Sequence, residues 1–352
     1  MPPQPLPDAA HADYLTDALR RSGVLRHGTV RTVVVESSKP TILSRIIRLR
    51  LEYDDAPDDA PATVILKTDL PEGPGGAIQS GRQEVAFYSR IAPETAPGLV
   101  PRCFDAQWNE TTAAWHLLLE DFTDSHVTAG EWPLPPTMAR CRQIVAAYAK
   151  FHASWWDDPR LGVSIGVWQP NNAASLQVFA QDFERFAERL GDRLSPERRE
   201  FYRRLIDAGP RLFARYDTHR NMTIIHCDSH VWNTFLPRNE SGNVVLFDWD
   251  AWRLGVPTGD LAYMMALHWF PEHRRRCENP LLDHYHACLL AEGVAGYDRR
   301  ALEQDYRLSV LWQASTPVWQ AVNGIPAWIW WNHFERIFMA IDDLNCRALL
   351  DG

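Results

Sequence analysis

Ile224-Ile225-His226-Cys227-Asp228-Ser229-His230-Val231-Trp232-Asn233, followed by Val244-Val245-Leu246-Phe247-Asp248-Trp249-Asp250, is the most informative stretch of the 352-residue chain. Two apolar, strand-like runs each deliver an aspartate, with an asparagine between them. Asn233 lies five positions beyond Asp228, and Asp248 fifteen beyond Asn233. Short strands flanking a loop can bring these three side chains to one point. Their types suit one chemistry. Magnesium prefers hard oxygen ligands, usually one or two carboxylates plus phosphate oxygens and waters, and Asp248 with the amide oxygen of Asn233 meets that need. Phosphoryl transfer also requires a group that orients the attacking hydroxyl and accepts its proton. Asp228 fits that role.

Upstream, Arg31–Val35, Leu43–Leu51 and Thr63–Lys67 are rich in β-branched or apolar residues and predict strands. An opening helix is expected over about residues 9–22, and a second over Gln83–Ile91 with Val85, Phe87 and Tyr88 turned inward. Phe104–Trp108 and Trp115–Leu119 predict two further strands. The proline- and glycine-bearing run 123–136 then reads as a connector, and the rest as mostly helical, with helices in Ile144–Trp156 and on both sides of Leu194-Ser195-Pro196. The expected division is therefore 1–122, with 1–8 a disordered lead-in, then 123–136, then 137–352. Lysine is scarce: of 36 basic residues only Lys39, Lys67 and Lys150 are lysines. A lysine kept against such a bias suits a site needing a compact, flexible ammonium.

His226-Cys227-Asp228 with Asn233 resembles the catalytic loop of the aminoglycoside phosphotransferase and choline kinase superfamily. Asp248-Trp249-Asp250 resembles its metal-binding segment, and Gly259-Asp260-Leu261-Ala262-Tyr263 the segment that follows. Trp232 inside the loop is similar to the ecdysteroid kinase-like branch and its bacterial relatives. The resemblance spans roughly residues 30–345. It implies an α+β, two-lobed protein-kinase-like fold, with a small antiparallel-sheet N-lobe and a larger helical C-lobe. It also implies ATP and Mg2+ as cofactors and a small-molecule hydroxyl as acceptor. Lys67 would contact the nucleotide phosphates and Glu84 would hold its ammonium. Leu117-Leu118-Leu119-Glu120-Asp121-Phe122 resembles the hinge, where the backbone at Glu120 and Phe122 would meet adenine. No glycine-rich loop precedes these residues. The first strand turn is instead expected at Glu36-Ser37-Ser38-Lys39-Pro40-Thr41, whose Ser37, Ser38 and Lys39 could donate to phosphates. Cys227 stands where glycine is common.

By the same resemblance His226 is expected to be structural, bracing the loop against the backbone near Asp248. Asp260 is expected to cap its helix and brace the same loop, and Asp250 to touch metal, substrate or nearby backbone. Of 15 tryptophans, Trp312, Trp319, Trp328, Trp330 and Trp331 concentrate in the last helices. As a group, with Trp319 and Trp328 as candidates, they could wall an acceptor pocket. Arg274-Arg275-Arg276 reads as a solvated face. A net charge of -9 argues against a nucleic-acid binder. No run approaches the ~18 unbroken apolar residues of a membrane helix. Six cysteines without a Cys-x-x-Cys pair suggest buried thiols, and a cytoplasmic protein is expected. The expected acceptor is an antibiotic or other hydroxylated natural product, with a choline-like amino alcohol second. A nucleotide-binding pseudokinase is the reading from another class. Oligomeric state is not legible.

Overall fold

The computed structural model describes residues 6–41, 43–70, 76–239 and 242–351. The expected lead-in falls partly on residues 1–5, outside the described residues, while Asp8–Ala10 already form a 3-10 turn. Contacts divide the chain into two units, Met1–Thr128 with Thr234–Trp252, and Ala129–Asn233 with Arg253–Gly352. The simple cut at residues 122 and 136 is thus replaced by an exchange of segments. The cause is visible in the pairing. Within the expected connector, His126–Thr128 forms a strand that pairs with Thr234–Pro237, which in turn pairs with Val245–Leu246.

In the first unit, strands β1 (Thr29–Pro40), β2 (Ser44–Asp54), β3 (Thr63–Asp69), β4 (Cys103–Trp108) and β5 (Trp115–Glu120) form an antiparallel sheet in the order β1-β2-β3-β5-β4. The period of two is plain in β2, where Ile47, Leu49 and Leu51 are buried while Arg48, Arg50 and Glu52 point the other way. Helix α1 (Ala12–Arg21) places Leu15, Ala18 and Leu19 in the same apolar cluster as those residues, Val64, Leu66 and Leu118. Helix α2 (Gly76–Arg90) carries buried Val85, Phe87 and Tyr88, as their spacing predicts.

The first turn differs from expectation. Strand β1 continues through Ser37-Ser38-Lys39-Pro40, and the turn falls beyond it, where Thr41 Oγ1 accepts from the backbone N–H groups of Leu43 and Ser44. As an edge strand, β1 tolerates a proline that a central strand would reject.

The second unit is helical: α3 (Met138–Ser154), α4 (Ala173–Leu190), α5 (Pro196–Phe213), α6 (Thr258–Leu261), α7 (Pro271–Ala291), α8 (Arg299–Trp312), α9 (Ser315–Val322) and α10 (Ala327–Asp343). The break before α5 has local causes: Ser195 accepts from Arg198 N as the cap, and Pro196 takes the first helical position. A short strand pair, Thr223–Ile225 against Arg253–Gly255, sits among these helices. The arginine triplet is not a solvated face throughout. Arg274 is buried and bonds Glu278 at 2.7 Å and Asp343, partners four and 69 residues away. Among the described residues no helix is long and apolar enough to cross a membrane.

Candidate active site

In the first unit, the central strand β3 carries Lys67, opposite Ile46 on one neighbour and Leu117 on the other. Its Nζ donates to Glu84 Oε1 at 2.8 Å and to Asp248 Oδ1 at 2.6 Å. Burial alone would push the Lys67 ammonium down, but Asp248 and Glu84 outweigh it and Asp250 adds to their field, so the ammonium is held above its ordinary range. Burial pushes the Glu84 carboxyl up to about 7 despite the lysine beside it. Folding therefore takes up a proton at Glu84 between pH 4.5 and 7. By linkage, the associated stability is present below the lower value and lost as pH rises to the upper one. We expect wild type to lose stability relative to Glu84→Gln across that interval, read by denaturant melts at each pH.

Aromatic contacts anchor the Asp248 segment to α2. Phe87 stacks on Trp249 at 4.2 Å between ring centroids and 6° between planes, while Trp249 Nε1 donates to Leu246 O. Gln83 and Trp252 exchange side chain-to-backbone bonds of 2.6 and 2.8 Å. Asp248 itself adopts a left-handed φ of 68°, a conformation aspartate reaches more readily than most residues.

The register sorts the residues expected near phosphate. Lys39 opposes Ile46, which opposes Lys67, so Lys39 shares a face of the sheet with Lys67, as does Ser37 two residues away. Ser38 opposes Ile47 in the other row, and its Oγ accepts from Arg45 Nε at 2.8 Å. The register separates it from its neighbours. At the expected hinge, Glu120 N donates to Arg102 O and Phe122 O accepts from His126 N. Phe122 is buried against Phe235 and His126.

In the second unit, strand Thr223–Ile225 delivers the loop. Asp228 is partly exposed, with both carboxylate oxygens engaged: Oδ1 accepts from Tyr263 Oη at 2.7 Å and Oδ2 from Asn233 Nδ2 at 2.9 Å. The Asn233 amide nitrogen also bonds Asp228 O at 2.9 Å, which leaves Oδ1 as its acceptor for a cation. His226 is fully buried and its Nδ1 accepts from Asp228 N at 3.3 Å. That bond steadies the loop internally, between residues two positions apart.

Asp260 does not cap its helix. It lies inside α6, fully buried, and accepts from His226 N at 2.8 Å, Cys227 N at 2.9 Å and His152 Nε2 at 3.1 Å. Burial favours its neutral form, but the His152 hydrogen bond, the electrostatic influence of the His152 and His226 imidazoles and the backbone donor outweigh it and hold the carboxyl below its ordinary range. Cys227 has φ 68°, the left-handed region that glycine enters without a Cβ clash. Burial pushes its thiol up to about 12, so it is no nucleophile near neutral pH. Cys227→Gly is expected to hold or raise stability, by up to ~1 kcal/mol, measured by urea unfolding.

Two signals were missed in the sequence. Tyr263 was read only as the end of a segment, yet it reaches Asp228 from the π-helical turn Ala262–Leu267, a widened turn of a kind often found at functional sites. Trp132 also escaped notice, and Trp232 was read only as a mark of the branch. Trp132 lies 5.2 Å from Trp328 and 6.2 Å from Trp232 between ring centroids. Of the five late tryptophans, Trp330 is buried, Trp312 stacks on Phe213, and Trp331 packs near Trp330 and Phe334. Trp319 and Trp328 are exposed, and among the described residues only Trp328 of these two joins the other rings.

The sequence matches the phosphotransferase enzyme family over residues 50–302, and the chain belongs to that family. It is a small-molecule phosphotransferase. No curated protein matches its sequence. Among solved structures, it is similar to an ethanolamine kinase of Plasmodium vivax, with TM-score 0.55 and 11% identity over 89% of this chain and 83% of that one. The choline kinase LicA of Streptococcus pneumoniae gives TM-score 0.51 and 13% identity over 89% and 94%. A thermostable mutant of the aminoglycoside phosphotransferase APH(4)-Ia, in ternary complex with ADP and hygromycin B, gives TM-score 0.51 and 12% identity over 94% and 98%. At these identities the likeness shows the fold, the antiparallel-sheet and helical arrangement of kinase-like phosphotransferases.

Proposed function

We propose that the protein transfers the γ-phosphate of ATP, with magnesium, to a hydroxyl of an antibiotic or other hydroxylated natural product, and that it does so in the cytoplasm. The observation that carries this is the partly exposed Asp228 carboxylate, its two oxygens oriented by Tyr263 and Asn233. The acceptor oxygen attacks the γ-phosphorus as its proton passes to Asp228. The bond from that phosphorus to the bridging oxygen breaks, giving ADP and the phosphorylated alcohol. The ADP held by the structural neighbour from the aminoglycoside phosphotransferases supports nucleotide use.

Lys67, held by Glu84, is the phosphate contact, with Ser37 and Lys39 further along the same face. The backbone at Glu120 and Phe122 meets adenine. Among the described residues no group of three His, Cys, Asp or Glu side chains could by itself hold a metal ion. Asp248 and the Asn233 amide oxygen nonetheless suit magnesium, which takes most of its shell from phosphate and water. Bound magnesium would neutralise charge on the phosphate oxygens. Asp250 contributes negative charge near Lys67.

Incubation with ATP, magnesium and a panel of aminoglycosides, nucleoside antibiotics, polycyclic alcohols and amino alcohols tests the reading. One added phosphate, detected by mass, is the expected result. A panel without any phosphorylated product, from a protein that binds ATP, would favour a regulator without transferase activity.

A further inference from the structure

A chain of rings leads away from the Asp228 carboxylate within the second unit. His230 Nε2 lies 3.5 Å from Asp228 Oδ2, and the His230 ring is 5.6 Å from Trp232 and 5.4 Å from His268. From Trp232 the rings continue through Trp132 to Trp328. From His268 they continue to His333 at 4.5 Å and to Tyr263 at 4.7 Å. Trp132 is 39% exposed and Trp328 59% exposed, so large indole surfaces are left for a ligand to cover.

The charge around these rings is one-sided. His268 Nδ1 bonds Tyr263 O at 2.8 Å, and His333 Nδ1 bonds the Gln320 amide oxygen at 2.9 Å. A carbonyl oxygen only accepts, so both rings carry their proton on Nδ1 and offer Nε2 as an acceptor. Burial lowers both imidazoles, His333 to about 3 and His268 well below its ordinary value, so both are neutral near pH 7. Arg336 is buried beside them. It donates to His268 O at 2.7 Å, lies 4.1 Å from the Phe270 ring centroid, and has no carboxylate partner among the described residues. Burial lowers it only to about 10, so it stays a cation. Among the described residues, Asp228 is the one carboxylate within ion-pair distance of any histidine or tryptophan of the cluster.

A polycation leaving water needs carboxylates to replace its lost solvation, and this cluster supplies only the carboxylate assigned to the reaction. The indole faces would attract a lone ammonium, but the buried guanidinium opposes it. Flat aromatic faces with neutral nitrogen acceptors suit an apolar ring system bearing hydroxyls.

We propose that the acceptor is an uncharged, ring-bearing alcohol that lies on Trp132 and Trp328 and presents its hydroxyl to Asp228. This rests on the proposed role of Asp228, and the test separates the two. The full-length protein is titrated calorimetrically with fused-ring alcohols of two to four rings, each paired with its aminomethyl derivative. Choline and kanamycin serve as charged controls. The uncharged member of a pair is expected to bind about 10-fold tighter or more. Trp328→Ala, at an exposed position, is expected to weaken that binding by about 10-fold. Arg336→Met is expected to narrow the gap between pair members.

Equal or tighter binding of the amino derivatives, tighter binding of either charged control, or no binding of any uncharged alcohol overturns the proposal. Selective binding of uncharged alcohols without phosphate transfer from ATP would count against the catalytic role of Asp228, while the recognition surface would stand.

Discussion

Asp228→Ala is expected to lower phosphate transfer by about 100- to 10,000-fold, the usual worth of a positioned general base, while leaving ATP binding nearly intact. The residues assigned to the nucleotide phosphates, Lys67 and Glu84, belong to the other unit and bond one another independently of Asp228. The substitution removes the acceptor for Tyr263 Oη and for one bond of Asn233 Nδ2. Because Asp228 is partly exposed, water can take its place there and the stability loss should be small. Turnover with an identified acceptor and nucleotide binding by calorimetry make the measurement. A variant that turns over at close to the wild-type rate would remove Asp228 from the reaction.

Asp260→Ala is expected to act in the opposite way, through folding. Three donors, His226 N, Cys227 N and His152 Nε2, lose their acceptor at a fully buried position. Leaving buried donors without an acceptor costs about 1–3 kcal/mol each, so the three together are a large share of the ~5–15 kcal/mol that holds most proteins folded. Denaturant unfolding should show that loss, and whatever folded protein remains should carry a misplaced Asp228 loop. The pH dependence has a definite sign. The folded carboxyl lies below its unfolded value of 3.8, so its stabilisation is present above the ordinary carboxylate range and is lost as pH falls through the folded value. Wild type should therefore approach the variant in stability as the solution is acidified.

These two aspartates mark what was legible in the sequence. Asp228, Asn233 and Asp248 lie within 21 positions and end short apolar runs, so their spacing carries the pattern. Lys67 ends another such run, and the helix bearing Glu84 shows its period. Asp260 was expected to brace the loop, but its cap geometry was misjudged because the demand for its oxygens comes from backbone 33 and 34 residues upstream. The Gln83–Trp252 exchange spans 169 residues and the Arg274–Asp343 pair 69, distances at which local pattern says nothing. Strand β1 was drawn too short because Ser-Ser-Lys-Pro reads as a turn; its pairing with β2 overrode that local preference. A two-residue strand such as Val245–Leu246 exists only through its partner.

The exchange of segments between the two units sets an order on synthesis. The sheet's three-stranded companion needs Thr234–Pro237 and Val245–Leu246, and the bond from Lys67 to Asp248 needs residue 248. Protein chains emerge from the ribosome at about 5–20 residues per second. The first unit thus waits several seconds, while more than a hundred residues of its neighbour appear, before its own last piece arrives. Throughout that interval the buried ammonium of Lys67 lacks one of its two counter-charges. A fragment ending at Thr128 would be held permanently at that stage.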